Sequence, residues 1–305
     1  MILKPINQTN LYGLDNIFNE LNNLFSNNKL PNKILFSGKK GIGKSTLSYH
    51  LINCILSKDE EFSYDTTNHT INRENKSFKL IQNGSNPNFN LIDVSSDKKM
   101  IEINQIRNLI NKINKSSFND KPRFILIDNI EYLNINSANA LLKSLEEPNQ
   151  NIFFILINNQ KKILPTIKSR CLNFNISLTY NDAISIIDNI LGENVLDIVN
   201  NELLNYYFSP GNIYNLIQFS KIENIDLKNI SLKNFLKTII RNNLYKNDTD
   251  SKFLIYEIVE LLLHKISLHN YGHYNYFLKR LKYMSEFNLD EESFFIEFES
   301  KILNA

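Results

Sequence analysis

The sequence predicts an α/β fold, a parallel sheet flanked by helices, followed by a region that is helical throughout. Three observations carry that reading. A glycine-rich turn, Gly38-Lys39-Lys40-Gly41-Ile42-Gly43-Lys44-Ser45, stands between the apolar run Ile34-Leu35-Phe36 and a helical run from Thr46 to Ile52. Apolar runs of strand length recur and alternate with helical patterns, which argues for parallel strands covered on both faces. From Leu178 onward the strand-like runs stop and helical periodicity takes over.

Taken in order, residues 14–30 carry a helical pattern through Leu14, Ile17, Phe18, Leu21, Leu24 and Phe25, leading into a strand at 33–36. The turn and the helix from Thr46 follow. Residues 57–79 are polar, acidic and then basic, without an apolar period, and are expected to form an exposed loop. A second strand is expected at 90–94, then a helix from Glu102 to Lys115 with Ile103, Ile106, Leu109, Ile110 and Ile113 on one face. Strands at Phe124–Asp128 and Phe153–Ile157 flank a helix over Ser137–Glu147, striped by Ala138, Leu141, Leu142 and Leu145 and ended by Pro148. A fifth strand, 172–176, closes the α/β part. Thr179 and Asp182 then form a capping box for a helix that stops at Gly192. Helices are expected at 195–207 and 212–220, separated by Ser209-Pro210-Gly211, and about four more over 228–305, the strongest from Ser251 to Leu268. The expected division is 1–176, 177–224 and 225–305.

Composition narrows the function classes. With 305 residues, 42% hydrophobic and 22% charged, the chain is expected to be a soluble globular protein of two or three domains. A formal net charge of +2 does not make it a nucleic-acid binder by bulk electrostatics, so any DNA contact would come from local patches or partner chains. Cys54 and Cys171 have no metal-ligand spacing and read as small buried residues in a reducing compartment. The opening residues, Met1 to Pro5, carry no long apolar core, and no run approaches a membrane span, so a cytoplasmic protein without a membrane partner is expected.

The turn itself carries the chemistry. Three of the chain's 8 glycines lie between positions 38 and 43. Glycine lets the backbone curl so that successive N–H groups point at a phosphate, and the following helix adds its positive N-terminal end. In the pattern G-x-x-x-x-G-K-[ST], Gly38, Gly41 and Gly43 shape the cradle, with Thr46 in the next turn. Lys44 would neutralise the outer phosphates and Ser45 would ligate magnesium. Asp128 ends an apolar strand, where such sheets place the aspartate that holds magnesium through water. The next residue is Asn129, which cannot accept a proton, and Glu131 is acidic but two positions further on. Losing a water-polarising carboxylate would cripple hydrolysis without abolishing binding. Arg170, in Ser169-Arg170-Cys171, stands between strand-edge segments. Read alone it is a surface salt-bridge residue; the surrounding pattern turns the reading toward a fork suited to the γ-phosphate of a neighbouring subunit.

Several stretches together resemble bacterial sliding-clamp loaders of the AAA+ class. They are Leu11-Tyr12-Gly13, the turn from Gly38 to Ser45, Ile127-Asp128, the run from Asn139 to Pro148 (NALLKSLEEP) and Ser169-Arg170-Cys171. The resemblance covers 1–176 well and 177–222 loosely. It implies an AAA+ P-loop domain with a five-stranded parallel sheet, a small helical lid and a helical C-terminal collar. Within that family the chain is similar to the delta-prime stator of DNA polymerase III more than to the ATP-hydrolysing gamma/tau motors. Asn129 stands where a motor has its catalytic glutamate, Ser209-Pro210-Gly211-Asn212 stands where motors carry a sensor arginine, and a chain without the tau form's long extension is expected. Residues 54–93 also lack the four cysteines of the family's zinc module, so no zinc site is expected.

The resemblance further implies a hetero-pentamer with gamma/tau and delta type subunits, acting on the sliding clamp and on primer–template DNA. Arg170 would be the trans arginine finger, reaching a neighbour's ATP. Bound ATP or ADP with magnesium would be weak, held by Gly38, Gly41, Gly43, Lys44, Ser45, Thr46 and Asp128, with Ser45 and Asp128 on the metal side. Lys98, Lys99, Arg107, Lys112 and Lys115 would face DNA or simply form a solvated surface. An active motor-type ATPase stays open as the alternative because the P-loop is complete, and a small-molecule kinase is a weaker third reading.

Overall fold

The protein is described by a computed structural model covering residues 3–95, 98–114, 119–146, 151–204, 208–246, 249–266, 271–287 and 290–304. Lys115, Glu147, Pro148 and Leu268, named above, lie outside the described residues. Two compact units divide at Asp182–Ala183.

The first unit is the α/β part. In chain order it contains α1 (Asp15–Ser26), β1 (Lys33–Ser37), α2 (Lys44–Leu56), α3 (Lys76–Gln82), β2 (Phe89–Ile92), α4 (Ile103–Ile113) and β3 (Arg123–Ile127). It continues with α5 (Ile135–Glu146), β4 (Ile152–Asn158), α6 (Pro165–Lys168) and β5 (Leu172–Asn175). The strands form one parallel sheet in the order β2-β3-β4-β1-β5. Side chains alternate across a strand, so each central strand divides its apolar residues between two layers. Ile34 and Phe36 of β1, Phe124 and Leu126 of β3, and Ile155 and Ile157 of β4 join Phe18, Leu21, Leu47 and Leu51 of α1 and α2. Leu35, Ile125, Ile127, Phe154 and Leu156 face the other way and join Ile106, Leu109, Leu141 and Leu145 of α4 and α5. This two-sided burial is why the strands read as continuous apolar runs.

Residues 57–79 differ from the expected exposed loop. Tyr64, Ile71 and Phe78 are buried, α3 begins at Lys76, and the segment joins the α1–α2 layer. Its apolar residues fall about seven apart, too sparse for a helix or strand period. Polar side chains hold the backbone instead. Asp65 Oδ1 accepts from the N–H groups of Thr67 and Asn68, Asn75 Oδ1 caps α3 through the Phe78 N–H, and Ser77 donates to Glu60. Among the described residues no group of three His, Cys, Asp or Glu side chains could hold a metal ion. Cys54 and Cys171 are only half-buried, and burial pushes both thiols up to about 11.

The second unit is helical: α7 (Tyr180–Leu191, entering from the first unit), α8 (Val195–Ile198), α9 (Pro210–Ile222), α10 (Leu232–Arg241), α11 (Thr249–Ile266), α12 (Tyr271–Phe287) and α13 (Glu291–Phe298). The Thr179–Asp182 capping box is formed, with Asp182 N–H donating to Thr179 Oγ1 at 3.2 Å and Thr179 N–H to Asp182 Oδ2 at 3.0 Å. The helix expected over 195–207 is instead the single turn of α8 and a 3-10 turn at Asn201–Leu203. Asn200 is extended and its side chain accepts from the Glu202 N–H, which starts the second turn afresh. Ser209-Pro210-Gly211 is not a spacer. Ser209 Oγ accepts the Asn212 N–H at 3.2 Å as N-cap, and Pro210 opens α9, where its missing N–H costs nothing. Phe277, Phe294 and Phe298 pack with centroids 5.4–5.8 Å apart at the centre of this unit. No described helix is long and apolar enough to cross a membrane.

Candidate nucleotide-binding site and rim arginine

The turn from Gly38 to Ser45 follows the C-terminal end of β1, the strand between β4 and β5, where ligands of open α/β sheets bind. Gly43 has φ +95° and serves as the N-cap of α2, a conformation that L side chains resist. Gly38 is constrained differently. A Cβ there would lie 2.4 Å from the Ile176 carbonyl oxygen and 2.6 Å from Ile42 Cδ1. Lys44, almost fully buried, folds back over the turn and donates to the carbonyls of Gly38 at 2.8 Å and Lys39 at 2.6 Å. Burial lowers its ammonium to about 8 against the opposing pull of Asp128 and Glu131. Ser45 Oγ donates to Asp128 Oδ2 at 2.6 Å, and Thr46 is half-buried in the same helical turn. Burial holds the Asp128 carboxyl above the usual carboxylate range, and the charge of Asp93 adds to that. Hydrogen bonds from Ser45 and the Asn129 N–H oppose the shift.

These groups fit a magnesium–nucleotide. The turn supplies backbone donors and one cation, while the hydroxyl and carboxylate of Ser45 and Asp128 supply a pair of hard oxygens. The sequence brings these residues together as expected from its motif spacing. What it missed is that Asp93 and Asn159 join Asn129 and Glu131 in a row of hydrogen-bonded side chains beyond Asp128. Asn129, with φ +55°, donates through Nδ2 to Asp93 Oδ1 at 2.8 Å. Its Oδ1 accepts from Asn159 Nδ2 at 2.9 Å, and Asn159 Nδ2 also lies 3.0 Å from Glu131 Oε1. Asn159 N–H donates to Glu131 Oε2 at 3.3 Å. The row crosses the C-terminal ends of β2, β3 and β4. A polar residue directly after each apolar strand was the available signal for Asp93 and Asn159.

Arg170 lies away from this cradle in the sense that no contact joins them among the described residues. It follows α6, and its side chain is 32% exposed. Nε and Nη2 donate to Glu146 Oε1 at 3.1 and 2.5 Å, and Nη1 donates to the Thr166 carbonyl at 2.9 Å. Lys98 pairs with Glu102 at 3.2 Å, and Lys99, Arg107 and Lys112 are exposed.

A family described as DNA polymerase III, delta subunit, matches residues 13–179, more than half of the chain. The chain belongs to that family. Among curated members of this group, the DNA polymerase III subunit delta′ of Pseudomonas aeruginosa is 33% identical over 138 residues, covering 45% of this chain and 40% of its own length. The DNA polymerase III subunit gamma of Buchnera aphidicola (subspecies Schizaphis graminum) is 30% identical over 237 residues, covering 76% of this chain and 62% of its own. This DNA polymerase III delta-family chain therefore matches only 40% to 62% of the length of these two relatives. A gamma subunit-related protein from Thermotoga maritima superposes with a TM-score of 0.51 over 94% of this chain and 96% of that one, at 15% identity, a likeness of fold alone.

Proposed function

We propose that this chain is a stator, a delta-prime-type subunit of a clamp loader, which completes the nucleotide site of a neighbouring subunit and hydrolyses little itself. The observation that carries this reading is the state of its own hydrolytic position. Asn129 occupies the place after Asp128, and the nearest substitute carboxylate, Glu131, has both oxygens engaged by Asn159. Asn129 has no carboxylate to take a proton from water, and Glu131 is held by Asn159 two positions beyond the place directly after Asp128. Arg170 is by contrast a forked cation at the surface, the group that stabilises transferring phosphoryl charge when presented from outside.

In this reading Gly38, Gly41, Gly43, Lys44, Ser45 and Thr46 cradle ATP or ADP weakly, and Ser45 and Asp128 face its magnesium. The partners are gamma/tau and delta type subunits in a hetero-pentamer in the cytoplasm, with the clamp and primer–template DNA met through the assembly. Residues 177–224 and 225–305 serve as lid and collar.

The test is reconstitution. The full chain co-purifies with motor and delta type subunits, and Arg170→Ala leaves assembly intact while lowering the DNA-stimulated ATPase of the complex by about 10³-fold at the site it serves. An unchanged ATPase removes the trans-finger role. The motor alternative is favoured by the complete Lys44–Ser45–Asp128 geometry and by the longer match to a gamma subunit. Steady-state hydrolysis by the purified chain, abolished in Lys44→Ala, would decide for it.

A further inference from the structure

We infer that Glu146 is the positioning residue for Arg170, setting the guanidinium at the angle in which it meets a neighbour's phosphate. This rests on the trans-finger reading above and adds to it a residue outside the Ser-Arg-Cys motif. The two side chains are 24 positions apart in sequence, one at the end of α5 and the other just before β5. Glu146 Oε1 receives both Nε–H and an Nη2 N–H, at 3.1 and 2.5 Å, along one edge of the fork. The Thr166 carbonyl takes a donor of Nη1 at 2.9 Å. Arginine has five N–H donors in one rigid plane. Three are taken within the chain, and one remains on each terminal nitrogen.

That pattern suits delivery better than stability. An ion pair whose members are 32% and 51% exposed contributes little to folding. A free arginine side chain carries large rotamer freedom, which a phosphate arriving from another subunit would have to freeze. Two anchors in the guanidinium plane remove that freedom beforehand and leave the outer end of the fork for the ligand. Electrostatic stabilisation of a phosphoryl transition state depends on donors already oriented, so loss of the anchor acts on turnover more than on nucleotide affinity.

The experiment uses the reconstituted complex with ATP and primed DNA, and compares Glu146→Ala, Glu146→Gln, Arg170→Ala and the double variant Glu146→Ala/Arg170→Ala. Co-assembly by gel filtration and the urea midpoint of each purified chain are measured alongside. Glu146→Ala is expected to lower kcat by about ten- to a hundredfold with KM for ATP unchanged. Glu146→Gln, whose amide oxygen still accepts from the same edge, is expected to stay within about threefold of the parent. The double variant should fall no further than Arg170→Ala alone, because Glu146 has no task without the arginine. The inference is overturned by full activity of Glu146→Ala beside a defective Arg170→Ala, by a rise in kcat, which would make Glu146 a competitor of the phosphate, or by additive losses in the double variant. If Arg170→Ala itself has no effect, the functional reading falls and this inference falls with it, a result distinct from the preceding three.

Discussion

Lys44 makes the nucleotide cradle sensitive to pH in a range where lysines ordinarily do not titrate. Burial lowers its ammonium from 10.5 to about 8, with Asp128 and Glu131 opposing the shift. The unfolded chain therefore holds more protons than the folded one between about 8 and 10.5, so the fold gains stability as pH rises through that window. At neutral pH the buried charge costs about 3 kcal/mol. A nucleotide phosphate reverses the preference, because it rewards the charged form. With a value of about 8, roughly 90% of Lys44 is charged at pH 7 and roughly 10% at pH 9. ATP affinity should accordingly fall about ninefold across those two units, with the terminal phosphate already ionised throughout. At pH 8 binding should take up about half a proton per nucleotide. Isothermal titration at pH 8 in buffers of different ionisation enthalpy reads that uptake directly, and Kd from pH 7 to 9 reads the affinity. Lys44→Arg should bind with no pH dependence in this range. An affinity flat from pH 7 to 9 with no proton uptake would refute the placement of Lys44 against the phosphates.

Other positions give sharp expectations. Gly38→Ala should destabilise the fold by about 1–3 kcal/mol in urea unfolding. The obstacle is the Ile176 backbone oxygen, and the Ile176 N–H is itself bonded to the Ser37 carbonyl at 2.7 Å; an unchanged midpoint would show that β5 yields freely. Asn129→Glu alone should leave ATP hydrolysis at background, because the new carboxylate would face Asp93; only with Asp93→Asn beside it should turnover rise, and activity in the single variant would contradict this. His50 is fully buried, its Nδ1 lies 2.9 Å from Tyr64 Oη, and burial lowers it to about 4, with the Gln8 backbone opposing and His69 adding. The unfolded chain then binds the extra proton between about 6.5 and 4, so stability should drop by about 2 kcal/mol from pH 7 to pH 5, a slope that His50→Leu should remove.

The central strands and α5 were legible because burial on both faces writes itself as uninterrupted apolar runs, and the phosphate turn because its glycines and lysine must be adjacent. The segment from Ser57 to Lys79 was not legible. Its three buried apolar side chains are too far apart for any period, and Asn75, capping α3 and donating to the Phe62 carbonyl, helps to hold its backbone. Asn200, which breaks the expected helix over 195–207, and Asn159 act through side-chain hydrogen bonds that no periodicity records. At Ser209-Pro210-Gly211 turn residues were read as a break, whereas serine followed by proline is also how a helix begins. Glu146 was invisible as a site residue because its partner lies 24 positions away and only the folded chain brings them together.

The two ends of the argument about activity meet in how the carboxylates are spent. Four acidic residues matter near nucleotide chemistry: Asp93, Asp128, Glu131 and Glu146. Asp128 is bound to Ser45, in the arrangement that would serve magnesium. Asp93 accepts from Asn129, which makes a neutral, donating side chain the favoured occupant of position 129 and disfavours a glutamate there through repulsion. Glu131 is tied on both oxygens to Asn159. Asp93 and Glu131 are thus held by asparagines, and Asp128 by the serine that would share its magnesium. The fourth, Glu146, is paired with the partly exposed Arg170. On the proposed stator reading, the chain keeps the groups that would hold a nucleotide and steadies an arginine that would act on a neighbour's. A carboxylate at position 129 would need Asp93 and Asn129 to change together, since the two are hydrogen-bonded to each other.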